Sequence, residues 1–320
     1  MRALLSVCVM AGLLSATALA HPGGSCYRAP EQPVPEKVLT PRSHKVVDIN
    51  AMPRNFDWRN NGGVNYCTSA RNQHIPQYCG SCWAMASSSS FADRIRIARN
   101  NTFPDYMIAV QTLVYCLCTG CDGGDASTVY QYINEHGVGA DTCQNYVAKG
   151  LGTECSDLHR CENCQSNSAG SDSSFSASSA SGPNGGCYPI TDFPTFYASE
   201  YGTVTGVEEM KTEIFARGPI ACYVDANPIY HWGFNKTAST EVFTAGANHT
   251  TIDHVISVVG FGYDSVQNTD YWIIRNSWGE YWGQNGYFRL KMGQNQLGIE
   301  TTSCAWAVPL IPDSIMKPQL

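Results

Sequence analysis

Gln73-His74-Ile75-Pro76-Gln77-Tyr78-Cys79-Gly80-Ser81-Cys82-Trp83 brings an amide, an imidazole and a thiol within eleven residues. From Cys82 onward, Ala84, Ser88, Phe91, Ile95 and Ala98 recur at spacings of three and four, while Asp93, Arg96 and Arg99 fall on other faces. That period predicts a half-buried helix uninterrupted by Gly or Pro until Pro104. Gly80 and Ser81 give it a tight entry and put Cys82 in its first turn, where free N–H groups and the positive end of the dipole favour a thiolate. An ordinary thiol, with a pKa of about 8.5, is mostly protonated at neutral pH, and such a site can lower that value by several units.

A plain alternative for Cys79-x-x-Cys82 is a disulfide or half of a zinc site, with Cys161-x-x-Cys164 as the second pair. The flanking residues argue against zinc. Gln73, Cys79-Gly80-Ser81-Cys82-Trp83, Asp253-His254-Val255 and Asn276-Ser277-Trp278-Gly279 occur in that order. Together they resemble the four signature blocks of the papain-like cysteine proteases, over a span from about Met52 to about Cys304.

The resemblance implies a division of labour. Cys82 is the nucleophile and His254 its base, forming a thiolate–imidazolium pair and returning the proton to the leaving amine. Asn276 orients the imidazole, Trp278 shields that contact from water, and Gln73 joins the Cys82 N–H in an oxyanion hole. Gly123 and Gly124, in Cys121-Asp122-Gly123-Gly124, match glycines that line the non-primed cleft; without the resemblance they read as an ordinary turn. No metal or other cofactor is implied.

Five residues, His74 to Tyr78, separate Gln73 from Cys79, where most of the family has two. This insertion resembles the mini-loop of the cathepsin X (cathepsin Z) carboxypeptidase group. It makes His74 the donor for a substrate's terminal carboxylate, Tyr78 an auxiliary donor, and Ile75 and Pro76 stiff bulk that closes the cleft. The plain alternative is a rim variant.

Upstream, Arg2 and an apolar run ending in Ala18-Leu19-Ala20 read as a signal peptide over residues 1–20. The expected route is secretory, to a lysosome or the exterior, and cysteines there are disulfides first. A formal charge of −7 gives a nucleic-acid partner no support, and no stretch reads as a membrane span. Residues 21–51 are Pro-rich and a poor core-former, expected to be a short propeptide. Being too short to occlude a cleft by packing, it is expected to act through Cys26, which in the resembling group caps the catalytic thiol.

Residues 52–320 are expected to be the peptidase, a left half to about 187, a right half to about 305 and a tail. Ile220–Val224, His254–Gly262, Tyr271–Arg275 and Gly286–Leu290 are short apolar, β-branched or aromatic runs, and Val207–Arg217 reads as a surface helix. The fold class is therefore α+β, a helical left domain carrying Cys82 and a β-barrel-like right domain carrying His254, with the cleft between.

By resemblance the pairs are Cys79–Cys121, Cys116–Cys155, Cys143–Cys161, Cys164–Cys187 and Cys222–Cys304; Cys67 and Cys118 are left over and can form a sixth bridge. The Ser-rich stretch 165–186 is expected to be a surface loop. Asn100, Asn235 and Asn248 open glycosylation sequons. The resulting reading is a monomeric cysteine carboxypeptidase made as a zymogen and acting on peptides or proteins with a free C-terminus. An endopeptidase or carboxydipeptidase is the alternative. A catalytically silent secreted binding module is the reading from another class, and the presence of Cys82, His254 and Gln73 speaks against it.

Overall fold

The computed structural model of the chain describes residues 26–117, 119–150, 155–164, 186–235, 240–246 and 251–311. The signal segment, Cys118, Asn248 and residues 165–185 of the Ser-rich stretch lie outside the described residues. Six helices and ten strands are α1 (Ser43–Val46), β1 (Phe56–Asp57), α2 (Cys82–Ala98), α3 (Val110–Cys116), α4 (Ala126–His136), α5 (Asp157–Arg160), β2 (Glu162–Cys164), β3 (Cys187–Pro189), β4 (Tyr197–Val204), α6 (Gly206–Arg217), β5 (Ile220–Val224), β6 (Val242–Phe243), β7 (His254–Asp264), β8 (Thr269–Arg275), β9 (Tyr287–Lys291) and β10 (Cys304–Leu310).

One eight-stranded sheet, in the order β4-β10-β5-β7-β8-β9-β6 with β1 paired to β7, separates two cores. Its pairs are antiparallel except β6 with β9. Alternation along each strand divides its side chains. In β5 and β10, Ala221, Tyr223, Ala305 and Ala307 face the core built with α2, α3 and α4. Cys222, Val224, Cys304 and Trp306 face the other core. Three alanines on the helical side let α2 lie close against the strands. The α+β reading therefore holds. The sequence pattern had missed β4 and β10, and β10 is central to both cores.

The helix α2 departs from its predicted amphipathic character, since every residue from Cys82 to Ile95 is buried. Its two fully buried charged residues, Asp93 and Arg94, are both paired. Asp93 pairs with Arg275 at 2.6 Å and accepts from Thr68 N, while Arg94 pairs with Glu213 at 2.9 Å and donates to the Pro219, Gly218 and Ala307 carbonyls. Ser90 and Ser257 hydroxyls lie 2.9 Å apart, joining α2 to β7. Charged residues in a sequence window thus imitate an exposed face when they are in fact paired inside.

Helix ends follow local rules. Asp125 caps α4 through Ser127 N and Thr128 N, and Gly137, at φ 69°, ends it. A Cβ at Gly137 would come within 2.4 Å of Thr195, so both backbone and space require glycine there.

Residues 26–51 do not form a core of their own and instead follow the body. Lys37 pairs with Tyr201 on the edge of β4, and Glu200 accepts from Leu39 N, Thr40 N and the Thr40 hydroxyl at 2.7, 2.9 and 2.6 Å. Ser43 donates to the buried Glu213 at 2.7 Å.

Among the described residues there are six disulfides: Cys26–Cys82, Cys79–Cys121, Cys116–Cys155, Cys143–Cys161, Cys164–Cys187 and Cys222–Cys304. Cys67 is a free, buried thiol; Cys118, the partner expected for it, lies outside the described residues. Burial pushes the Cys67 thiol well above its ordinary pKa, and Asp93 adds to the effect. Asn100 and Asn235 are exposed. Among the described residues no helix is long and apolar enough to cross a membrane.

Candidate active site

Cys82 begins α2 and His254 begins β7, and the site forms where these two element starts meet. Val255 N donates to Cys82 Sγ at 3.3 Å. Cys82 Sγ is bonded to Cys26 Sγ, which lies 3.1 Å from His254 Nδ1. The three side chains are close enough to suggest a metal cluster, but two of their donor atoms are bonded to each other and are not thiolates.

His254 Nε2 is 2.8 Å from Asn276 Oδ1. Since a carboxamide oxygen only accepts, the neutral imidazole carries its proton on Nε2 and turns the Nδ1 lone pair toward the sulfur. Burial pulls the His254 imidazole down to about 4, against the opposing Asn276 hydrogen bond. Trp278 covers the ring with centroids 4.8 Å apart and is itself buried.

Gln73 is buried, with Nε2 donating to Cys79 O at 3.1 Å and Oε1 accepting from Ser277 Oγ at 2.7 Å. The hydroxyl decides which end of the amide points toward Cys82. Sequence reasoning passed over Ser277, although it stands inside the quoted Asn276-Ser277-Trp278-Gly279 block. Gln73 N donates to Ser277 O and Gly279 N to Arg71 O, which fastens the base of the insertion to that block.

In the insertion, His74 stacks on Tyr78 with centroids 4.9 Å apart and lies 6.5 Å from Trp278. Burial lowers the His74 imidazole below its ordinary pKa. Ile75 and Tyr78 are exposed, and Gln77 donates to Ala148 O at 2.9 Å, tying down the far end of the loop.

Gly123 adopts φ 92°, and Gly124 follows it. A Cβ on Gly124 would meet the Trp83 ring at 2.5 Å. Gly124 N donates to Cys26 O and Gly124 O accepts from Arg28 N, so the N-terminal segment meets this glycine in an isolated parallel bridge at Tyr27. Asp253 O accepts from both Cys26 N and Tyr27 N.

This thiol, imidazole and carboxamide arrangement agrees with the comparisons. The model of the papain family of cysteine proteases matches residues 52–307. The chain is a papain-family cysteine protease. Among curated relatives of this papain-family chain, Cathepsin Z of Onchocerca volvulus is 37% identical over 295 residues, covering 89% of this chain and 87% of that one. Cathepsin B-like cysteine proteinase 5 of Caenorhabditis elegans is 30% identical over 297 residues, 87% of this chain and 80% of that one. In fold, proCathepsin B S9 from Trypanosoma congolense superposes with a TM-score of 0.62 at 19% identity, over 90% of this chain and 87% of that chain.

Proposed function

We propose that this papain-family protease is the zymogen of a carboxypeptidase that removes single C-terminal residues. In this reading residues 1–20 are a signal peptide, 21–51 a propeptide and 52–320 the peptidase, carried by the secretory route to a lysosome or the exterior as a monomer with glycans on its sequons. Support comes from the likeness to a protein named Cathepsin Z and from the stacked His74–Tyr78 pair beside the thiol. That pair is the single observation that carries the exopeptidase assignment.

Reduction of Cys26–Cys82 to two thiols by an external thiol reductant, itself oxidised to a disulfide, leaves the His254 Nδ1 lone pair available to take the Cys82 proton, while Asn276 keeps Nε2–H in place. The thiolate attacks the carbonyl of the penultimate residue. The oxyanion receives the Gln73 amide and the Cys82 N–H, and the imidazolium then protonates the leaving amine; water deprotonated by His254 hydrolyses the resulting Cys82 thioester, releasing the shortened peptide and the thiol. His74 receives the free carboxylate of the departing residue, most strongly as an imidazolium.

Time-resolved mass spectrometry of an unlabelled peptide digested by the reduced, processed protein tests this. A ladder of single C-terminal losses is expected. Internal fragments would support the endopeptidase alternative, loss of two residues at a time the carboxydipeptidase, and an intact peptide the silent module.

A further inference from the structure

Ser81 occupies the N-cap position of α2, where a serine hydroxyl ordinarily accepts from the backbone N–H groups of the first turn. It makes no such bond. Its hydroxyl lies instead 2.6 Å from the hydroxyl of Tyr146, which donates to the backbone carbonyl of Gln73 at 2.7 Å. Since the tyrosine has one proton and gives it to Gln73 O, Ser81 donates to Tyr146. The chain is Ser81 O–H to Tyr146 O–H to Gln73 C=O. It connects the residue just before the thiol to the backbone of the residue carrying the oxyanion amide.

The other hydrogen bonds of Gln73 go to Ser277 and Cys79. Ser277 holds its N–H and Oε1, and Cys79 O takes its Nε2. Among the described residues, the Tyr146 hydroxyl is the protein donor to the Gln73 carbonyl. Burial pushes the Tyr146 hydroxyl up to about 12, so it remains a donor throughout the range in which a thiolate–imidazolium pair works.

We propose that Tyr146, relayed by Ser81, is a positioning residue for peptide hydrolysis: it fixes the backbone of Gln73 so that the side-chain amide meets the oxyanion forming on a carbonyl attacked by Cys82. The inference rests on Cys82 as nucleophile and Gln73 as donor, and is independent of any preference for a free C-terminus. No proton leaves the relay. Its function is geometric, and it gives up a helix cap to perform it, which is the kind of local rule-breaking expected near a working site.

Removing an oxyanion donor outright lowers kcat by about a hundred- to a thousandfold, and loosening one should lower it by roughly tenfold. The test uses the processed, reduced protein with Tyr146→Phe and Ser81→Ala, a peptide and its C-terminal amide, and iodoacetamide alkylation of Cys82. Expected are a fall in kcat of about tenfold on the better of the two peptides with KM unchanged, an equal proportional fall on the other where it is cut, and alkylation rates and their pH profile as in wild type. The double variant should be no worse than Tyr146→Phe alone, because both remove one chain of bonds. Phe keeps the ring, and unfolding midpoints of the variants check that the fold survives.

Four outcomes would overturn the proposal: kcat within twofold of wild type, alkylation falling in step with kcat, loss confined to the free acid, or a rise in KM without a fall in kcat. The second would put the hydroxyls in service of Cys82, and the third in service of His74. A wild type that cuts neither peptide overturns the underlying enzyme reading instead, so the two failures are distinct.

Discussion

His254 Nδ1 lies 3.1 Å from Cys26 Sγ, so the lone pair that would take a proton from Cys82 faces the very sulfur that blocks it. Asn276 already orients this imidazole through its other nitrogen in the disulfide-bonded chain. On the proposed zymogen reading, activation needs one S–S bond broken and no rebuilding of the imidazole's surroundings.

The first prediction concerns thiol access. Iodoacetamide should leave Cys82 unlabelled in the unreduced protein and label it first after mild reduction, while buried Cys67 stays unreactive because its thiol is held well above the ordinary range. Cys26→Ser should be labelled at Cys82 without reductant. Peptide mapping reads all three, and labelling of Cys82 in the unreduced wild type would refute the cap.

A second prediction follows from the imidazole. In the capped protein His254 has a pKa of about 4, against an ordinary value of about 6.5 in the unfolded chain. Between those values the unfolded state binds a proton that the folded state refuses, so stability falls as pH falls through this window. The depressed pKa corresponds to about 3 kcal/mol lost between neutral pH and pH 4. The difference in urea unfolding free energy between wild type and His254→Gln should shift by that order across the window. A difference that does not vary with pH would contradict the buried, neutral imidazole.

Third, Asp93→Asn should destabilise the fold by about 3–5 kcal/mol, because it leaves Arg275 buried with its charge uncompensated. Urea denaturation measures this. A loss below 1 kcal/mol would mean that the Asp93–Arg275 pair is solvated.

A fourth prediction addresses residues 39–40. Glu200 accepts both their amides, so Glu200→Ala in the capped protein should accelerate hydrogen exchange at Leu39 and Thr40, on the order of tenfold, while the Cys26 end stays held. Unchanged exchange would show that the segment is held by other contacts.

Much of this was legible in the chain because the site's parts are local. Cys82 sits in a first helical turn marked by Gly80 and Ser81, and the strands β5, β7, β8 and β9 announce themselves by β-branched and aromatic runs. Val207–Arg217 was read within one residue of α6, whose first turn carries Glu208 and Glu209 and whose last turn carries Arg217.

The parts that escaped depend on pairing across long separations. β4, Tyr197–Val204, mixes Glu200 and Ser199 with glycine and has no clean alternation, and β10 contains Pro309. Asp93 looked like part of a polar face because its partner Arg275 lies 182 residues away. Tyr146, in a loop of no particular composition, gains its role only where its hydroxyl reaches Gln73 O, 73 residues distant. Cys67, left over from the expected pairs, is a buried free thiol beside Asp93 and Arg275, surroundings that no local pattern around it announces.

The most direct test of the account is kcat/KM for one peptide with a free C-terminus and for its amide twin, in wild type and His74→Ala, from acidic to neutral pH. Burial holds the His74 imidazole below its ordinary pKa, so its charge, and the preference it supports, should be largest at acidic pH and fade as pH rises. A charge-assisted contact is worth about 1.5–3 kcal/mol, so wild type should favour the free acid by roughly ten- to a hundredfold at the acidic end, and His74→Ala should lose most of that. Equal rates on the two peptides at acidic pH, or a full preference retained without His74, would contradict the carboxypeptidase reading.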